Sequence, residues 1–138
     1  MQQYTVAEAL KVDWGGSTYG IYLFRHDKTC KVLYVGYSLD PILRVRQHMH
    51  PSSKLRIGII LRECMPDTLS WLVGIYSVAE CDMFVRMHKR EDYETYLRCQ
   101  RELSLMDNSA RIAEKAMITH YAPLYNFPPG RYNAKRIA

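Results

Sequence analysis

The sequence predicts an α+β domain, and three observations carry that reading. Residues 19–25 and 31–36 are both rich in β-formers and flank the short polar stretch 26–30, the pattern of a β-hairpin with a longish loop. Residues 69–77 (LSWLVGIYS) are apolar at both alternating positions, as expected of a strand covered on both faces. The remaining long stretches, 40–50 and 78–121, carry helix-start signals and helical composition.

In chain order, Thr5-Val6-Ala7-Glu8 has the form of a capping box and opens a short helix. Gly15-Gly16 then breaks the chain. A symmetric hairpin centred on Lys28 pairs Tyr22 with Tyr34 and Gly20 with Gly36. All four then share one face, because side chains alternate along a strand; a bulge would break the pairing. Asp40-Pro41 supplies an acidic N-cap and a proline at the first helical position, so a helix is expected from there to about His50, before Pro51. Residues 78–106 read as helix in two pieces, with Phe84, Met87, Tyr96 and Leu103 as core candidates and charges of alternating sign on a solvated face. Ser109 is the expected cap of a last helix over 110–121, ended by Pro123, and Pro128-Pro129-Gly130 starts an extended tail.

With 138 residues the chain fits one domain, 1–138. Its 48% apolar and 24% charged content is that of an ordinary soluble protein. No apolar run approaches a membrane span, and the N-terminus lacks the basic-then-apolar pattern of a signal peptide. Cys30, Cys64, Cys81 and Cys99 include no CxxC pair, which suits free thiols in a reducing cytoplasm. The net charge of +5 is unevenly spread. Residues 63–126 hold seven Lys/Arg against ten Asp/Glu, whereas 37–62 hold Arg44, Arg46, Lys54, Arg56 and Arg62 against Asp40, and the tail holds Arg131, Lys135 and Arg136 with no acid. Two basic patches on a near-neutral body suit a polyanionic partner.

Two triplets carry the strongest signal. Gly20-Ile21-Tyr22, eleven residues, then Tyr34-Val35-Gly36 resembles the signature of the GIY-YIG endonuclease superfamily, where valine in the second triplet is common. Arg44 lies eight residues after Gly36, as the family's helix arginine does, and His48 follows one helical turn later on the same face. Glu114-x8-Pro123-x2-Asn126 is similar to the family's closing motif. The resemblance runs from residue 20 to 126 and implies an α/β sandwich with a three-stranded antiparallel sheet flanked by helices. It places the core at about 17–127, with 79–108 as a helical insertion and 128–138 as a basic tail. It implies a metal-dependent endonuclease that hydrolyses DNA phosphodiester bonds.

The chemistry of these residue types agrees with that implication. Phosphodiester hydrolysis needs an attacking water, neutralisation of charge on the phosphate and help for the leaving oxygen. Mg²⁺, or Mn²⁺, keeps several waters and asks for only one or two carboxylates, so Glu114 alone is a sufficient candidate ligand. The guanidinium of Arg44 matches phosphate oxygens. Tyr22 and Tyr34 are candidates for activating the water; alternatively the cation activates it and a tyrosine only positions it, because a phenol with a pKa of ~10 is a poor base at neutral pH. His48 could relay a proton or bind phosphate, and His50, two positions on, lies on another face. Gly20 and Gly36 are expected to let backbone or phosphate approach the sheet. By resemblance Asn126 is structural, its amide tying the chain after the Glu114 helix to the hairpin. Arg46, Lys54, Arg56, Arg131, Lys135 and Arg136 are candidates for phosphate-backbone contacts, which fix position without reading sequence.

DNA rather than RNA is the implied partner. No zinc-finger spacing or second module is visible, so a protein partner or a second copy of the chain could supply specificity. The alternatives are a domain of the same fold that binds nucleic acid or protein without catalysis, and an unrelated α+β domain with chance matches.

Overall fold

The computed structural model describes residues 1–13 and 20–126. The Gly15-Gly16 break, the tail from Pro128 onward and the candidates Arg131, Lys135 and Arg136 lie outside them, as does the side chain of Leu103. The elements, in order, are β1 (Gln2–Thr5), α1 (Val6–Ala9), β2 (Gly20–Arg25), β3 (Val32–Ser38), α2 (Pro41–Met49), α3 (Arg56–Glu63), β4 (Leu72–Tyr76), α4 (Val78–His88), α5 (Tyr93–Arg101) and α6 (Met106–Tyr121). Among the described residues the sheet is wholly antiparallel, in the order β1-β4-β2-β3. It has four strands where three were expected. The extra one, β1, is the four-residue segment QQYT with only its second half partly buried. So short and polar a segment has no hydrophobic alternation to announce it; it is a strand because the open edge of β4 pairs with it.

Helices cover both faces. Ile21, Leu23 and Val35 pack with Val85, Ala113 and Met117 against α4–α6, while Tyr22, Phe24 and Val73 pack with Val45, Ile57 and Leu61 against α1–α3. The Thr5 capping box and the Asp40 cap form as expected, the Asp40 carboxylate accepting from the Leu43 amide at 2.9 Å. α3 had no forecast: its N-cap is Leu55, which makes no side-chain cap bond, and it carries Gly58 inside, so the local signals of a helix start are missing. Gly58 is there because a Cβ would lie 2.7 Å from the His48 carbonyl oxygen. Residues 78–106 form α4 and α5, with Phe84 and Tyr96 buried; Met87 is 64% exposed, not core. α6 begins at Met106, three residues before the expected cap. Ser109 sits buried within it, its hydroxyl shared between the Met106 carbonyl (2.8 Å) and Gln100 Oε1 (3.0 Å). No helix among the described residues is long and apolar enough to cross a membrane.

The hairpin register differs from the symmetric one. Tyr22 pairs with Gly36, Phe24 with Tyr34 and Gly20 with Ser38. The turn closes with the His26 amide donating to the Lys31 carbonyl, and a bulge between Phe24 and Arg25 on one strand and Tyr34 and Val32 on the other adds a further residue. Each step moves the register by one, and two steps preserve which face each side chain takes. Tyr22, Tyr34 and Gly36 therefore still share a face, now with Gly36 directly opposite Tyr22.

That pairing makes the glycine necessary. A Cβ at Gly36 would lie 2.6 Å from the Tyr22 hydroxyl oxygen and 2.7 Å from Cζ, and the buried ring is hemmed in by Tyr34 and His48. Gly20 has a similar role, since its Cβ would meet Pro41 at 2.8 Å, where α2 starts. The space that these glycines leave is thus occupied by the protein's own rings, not held open for phosphate. Gly36→Ala is expected to lower stability by about 1–3 kcal/mol, the usual scale of overpacking, in urea titrations. The loss should largely disappear in a Tyr22→Leu background; an equal loss there would show that the ring is not what excludes a side chain.

Candidate functional site

β3 is an edge strand, so the backbone groups on its outer side need partners. At Leu33 the carbonyl accepts from the Tyr125 amide at 2.8 Å. At Val35 the Asn126 side-chain amide does both jobs, accepting from the N–H at 2.8 Å and donating to the carbonyl at 2.7 Å. At Tyr37 the backbone N–H bonds the Glu114 carboxylate. The chain after α6 and α6 itself are thus stitched along one edge of the hairpin, and Glu114 is brought to the side where the tyrosines lie.

Tyr22, Tyr34, Arg44, His48 and Glu114, with Gly36, line a single cavity of about 490 Å³. β2 and β3 present the tyrosines, α2 presents Arg44 and His48 one turn apart, and α6 presents Glu114. The Tyr22 hydroxyl lies 2.8 Å from His48 Nε2, and the Tyr22 and Tyr34 ring centroids are 6.1 Å apart. His48 is 1% exposed, so it is not the surface histidine that its place on a short helix suggests. Arg44 is exposed at the cavity mouth.

Burial dominates the electrostatics. It holds the Tyr22 phenol well above its usual range, with the neighbouring Tyr34 adding to the shift and Arg44 opposing it. It also raises Tyr34, helped by Glu114 and opposed by Tyr22 and Arg44. Both phenols are therefore protonated at neutral pH and neither is a ready-made base. Burial, with Arg44 next, pushes His48 down to about 4; the ring is neutral, and Nε2 can accept the Tyr22 proton. Burial raises the Glu114 carboxyl to about 7, against the pull of Arg111 and the Tyr37 amide. A half-buried carboxylate without a full counter-charge is a costly arrangement, and a cation would relieve it.

The donors fit a hard divalent cation that keeps most of its water. Among the described residues no group of three or more His, Cys, Asp or Glu is placed to hold a metal. One carboxylate suffices for hydrated Mg²⁺, and at about 30 Å³ per water the cavity has room for several waters and a phosphate. A second carboxylate, Asp107, also lines the cavity. It accepts from the Tyr37 hydroxyl at 2.8 Å and pairs with Arg111 at 2.9 Å. Neither Tyr37 nor Asp107 stood out in sequence. Asp107 lies two helical turns before Glu114 on the same face of α6, the one signal that could have found it.

The other basic candidates divide. Arg46 is half-buried and its guanidinium donates to the Val12 carbonyl. Arg56 lies over the Tyr125 ring at 5.9 Å. Lys54 is exposed. Arg62 donates to the carbonyls of His48, His50 and Ser53 at 2.7–2.9 Å and so pins the α2–α3 connection. No family model, curated protein or solved structure matches this chain.

The Glu114 shift has a thermodynamic consequence. Its folded-state pKa of about 7 lies above the unfolded value of 4.5, so its contribution to stability is fully present below 4.5 and is lost as pH rises through about 7. His48, depressed to about 4, acts in the opposite sense: its contribution is present above 6.5 and is lost as pH falls toward 4. In EDTA, Glu114→Gln should therefore melt a few degrees above the parent at pH 8, with the gap closing by pH 5. His48 is common to both proteins and cancels. A gap that does not change with pH would show that Glu114 is well solvated.

Proposed function

We propose that this cavity hydrolyses phosphodiester bonds in DNA with a divalent cation, and that the chain has a GIY-YIG-type fold and mechanism. The observation that carries the reading is the convergence of two phenols, a neutral histidine, a guanidinium and an under-compensated carboxylate on one cavity. These groups come from four separate elements, from residue 22 to residue 114.

Arg44, at the mouth, binds the scissile phosphate through its planar fork. The attacking water sits against the tyrosine hydroxyls, which orient it. The Tyr22 hydroxyl passes its proton to His48 Nε2 as it takes one from the water, so a single proton leaves the nucleophile and arrives on the ring. The anionic phosphate offsets the Arg44 charge that helps to depress His48, making the ring a better acceptor when substrate is bound. The water oxygen bonds to phosphorus, the ester oxygen leaves, and solvent returns a proton to it. A cation at Glu114, Mg²⁺ or Mn²⁺, would supply the charge neutralisation that the phosphate and leaving oxygen require.

The test is a cleavage assay on labelled single-stranded, duplex and branched DNA. Glu114→Gln should lose nicking while its circular dichroism is retained; Arg44→Ala should fall by about 10²–10³ and His48→Ala by about 10²–10⁴. Millimolar Mg²⁺ should raise the melting temperature of the parent at pH 8 and leave Glu114→Gln unmoved. Because the cation competes with the Glu114 proton, activity at limiting Mg²⁺ should climb as pH approaches 7. Cleavage retained in Glu114→Gln would overturn the role given to that residue. DNA binding without cutting, across several metals, would instead mark a binding domain without catalysis.

A further inference from the structure

Arg44 and His48, one turn apart on α2, line two adjoining cavities. One is the site above. The other, about 520 Å³, lies over the α2–α3 connection and shares Arg44, His48 and Leu55 with the first, so the two adjoin at these residues. They differ sharply in charge. The first contains Asp107 and Glu114; among the described residues no acid lines the second, which has Arg44 and Arg46 instead. Apolar atoms make up most of its lining surface, with Leu43 and Leu55 47% and 53% exposed, and Gln47 and Ser52 supply polar edges. Its floor is preformed, because the three Arg62 bonds hold the connection in place.

We infer that this second cavity is a subsite for an unpaired nucleotide adjoining the scissile phosphate, an inference that rests on the nuclease reading of the first cavity. With a strand phosphate on Arg44, the adjoining nucleotide meets two acids on one side and a second cation, Arg46, on the other, and is drawn to the basic side. The volume is that of a small-molecule site, about 300–1,000 Å³, and the surface has the character of a base: an apolar wall for the ring face and an amide for its edge. Arg44 then serves both cavities, holding the phosphate that joins the two nucleotides. A paired base cannot enter, since its faces are stacked and its edges are taken. The enzyme therefore prefers DNA that is single-stranded on one side of the cut.

The test compares binding of a labelled oligothymidylate with that of an abasic oligomer of the same length, in EDTA so that nothing is cut. The parent should bind the oligomer with bases about tenfold more tightly, on the scale of one packed base. The double variant Leu43→Ser/Gln47→Ala, which changes residues that line only the second cavity, should bring the two to equal affinity while leaving abasic and duplex binding as in the parent. Equal affinity in the parent, or a preference that survives the double variant, overturns the subsite even if DNA is cleaved. A preference that the double variant removes, in a protein that cleaves nothing, keeps the subsite and overturns the nuclease reading alone.

Discussion

The site depends on how one strand edge is closed. β3 is the last strand of the sheet, and its outward backbone groups at Leu33, Val35 and Tyr37 would each lose a hydrogen bond if buried without a partner. Tyr125, Asn126 and Glu114 take them in turn. The same bonds that end the sheet bring α6, which packs on one face, to the edge from which Glu114 reaches the phenols on the other. Satisfying the backbone and assembling the site are one arrangement.

Within that frame the cavity is built against its own stability. Burial holds two phenols protonated, a histidine neutral and a carboxyl near 7. Each shift is dominated by desolvation. Perturbed groups gathered in one cleft mark it as a candidate functional site. Asp107 is the contrast: it lines the same cavity but is matched by Arg111 and Tyr37.

The basic stretch 37–62 is less uniform than its charge suggests. Arg46, Arg56 and Arg62 are engaged by a carbonyl, a ring and a loop respectively. Arg44 stands at the mouth between two cavities, and Lys54 is exposed. A run of cations is therefore divided: part of it builds the α2–α3 platform, and part, Arg44 and Lys54, is exposed.

Local signals in the sequence determined a good deal: the hairpin, the Asp40-capped helix, the strand around residue 74 and the spacing of Tyr22, Tyr34, Arg44, His48 and Glu114. Each rests on a cap, an alternation or a helical period, which neighbouring residues create between themselves. What only the tertiary structure decided is non-local. β1 is a strand because β4 has a free edge, and α3 is a helix because Ile57 and Leu61 find a core. The hairpin slips by two because a bulge and an off-centre turn both intervene, which set Gly36 under the Tyr22 ring. The electrostatic character of the site was equally out of reach. Burial sets those pKa values, and burial belongs to the packed protein rather than to any stretch of its chain.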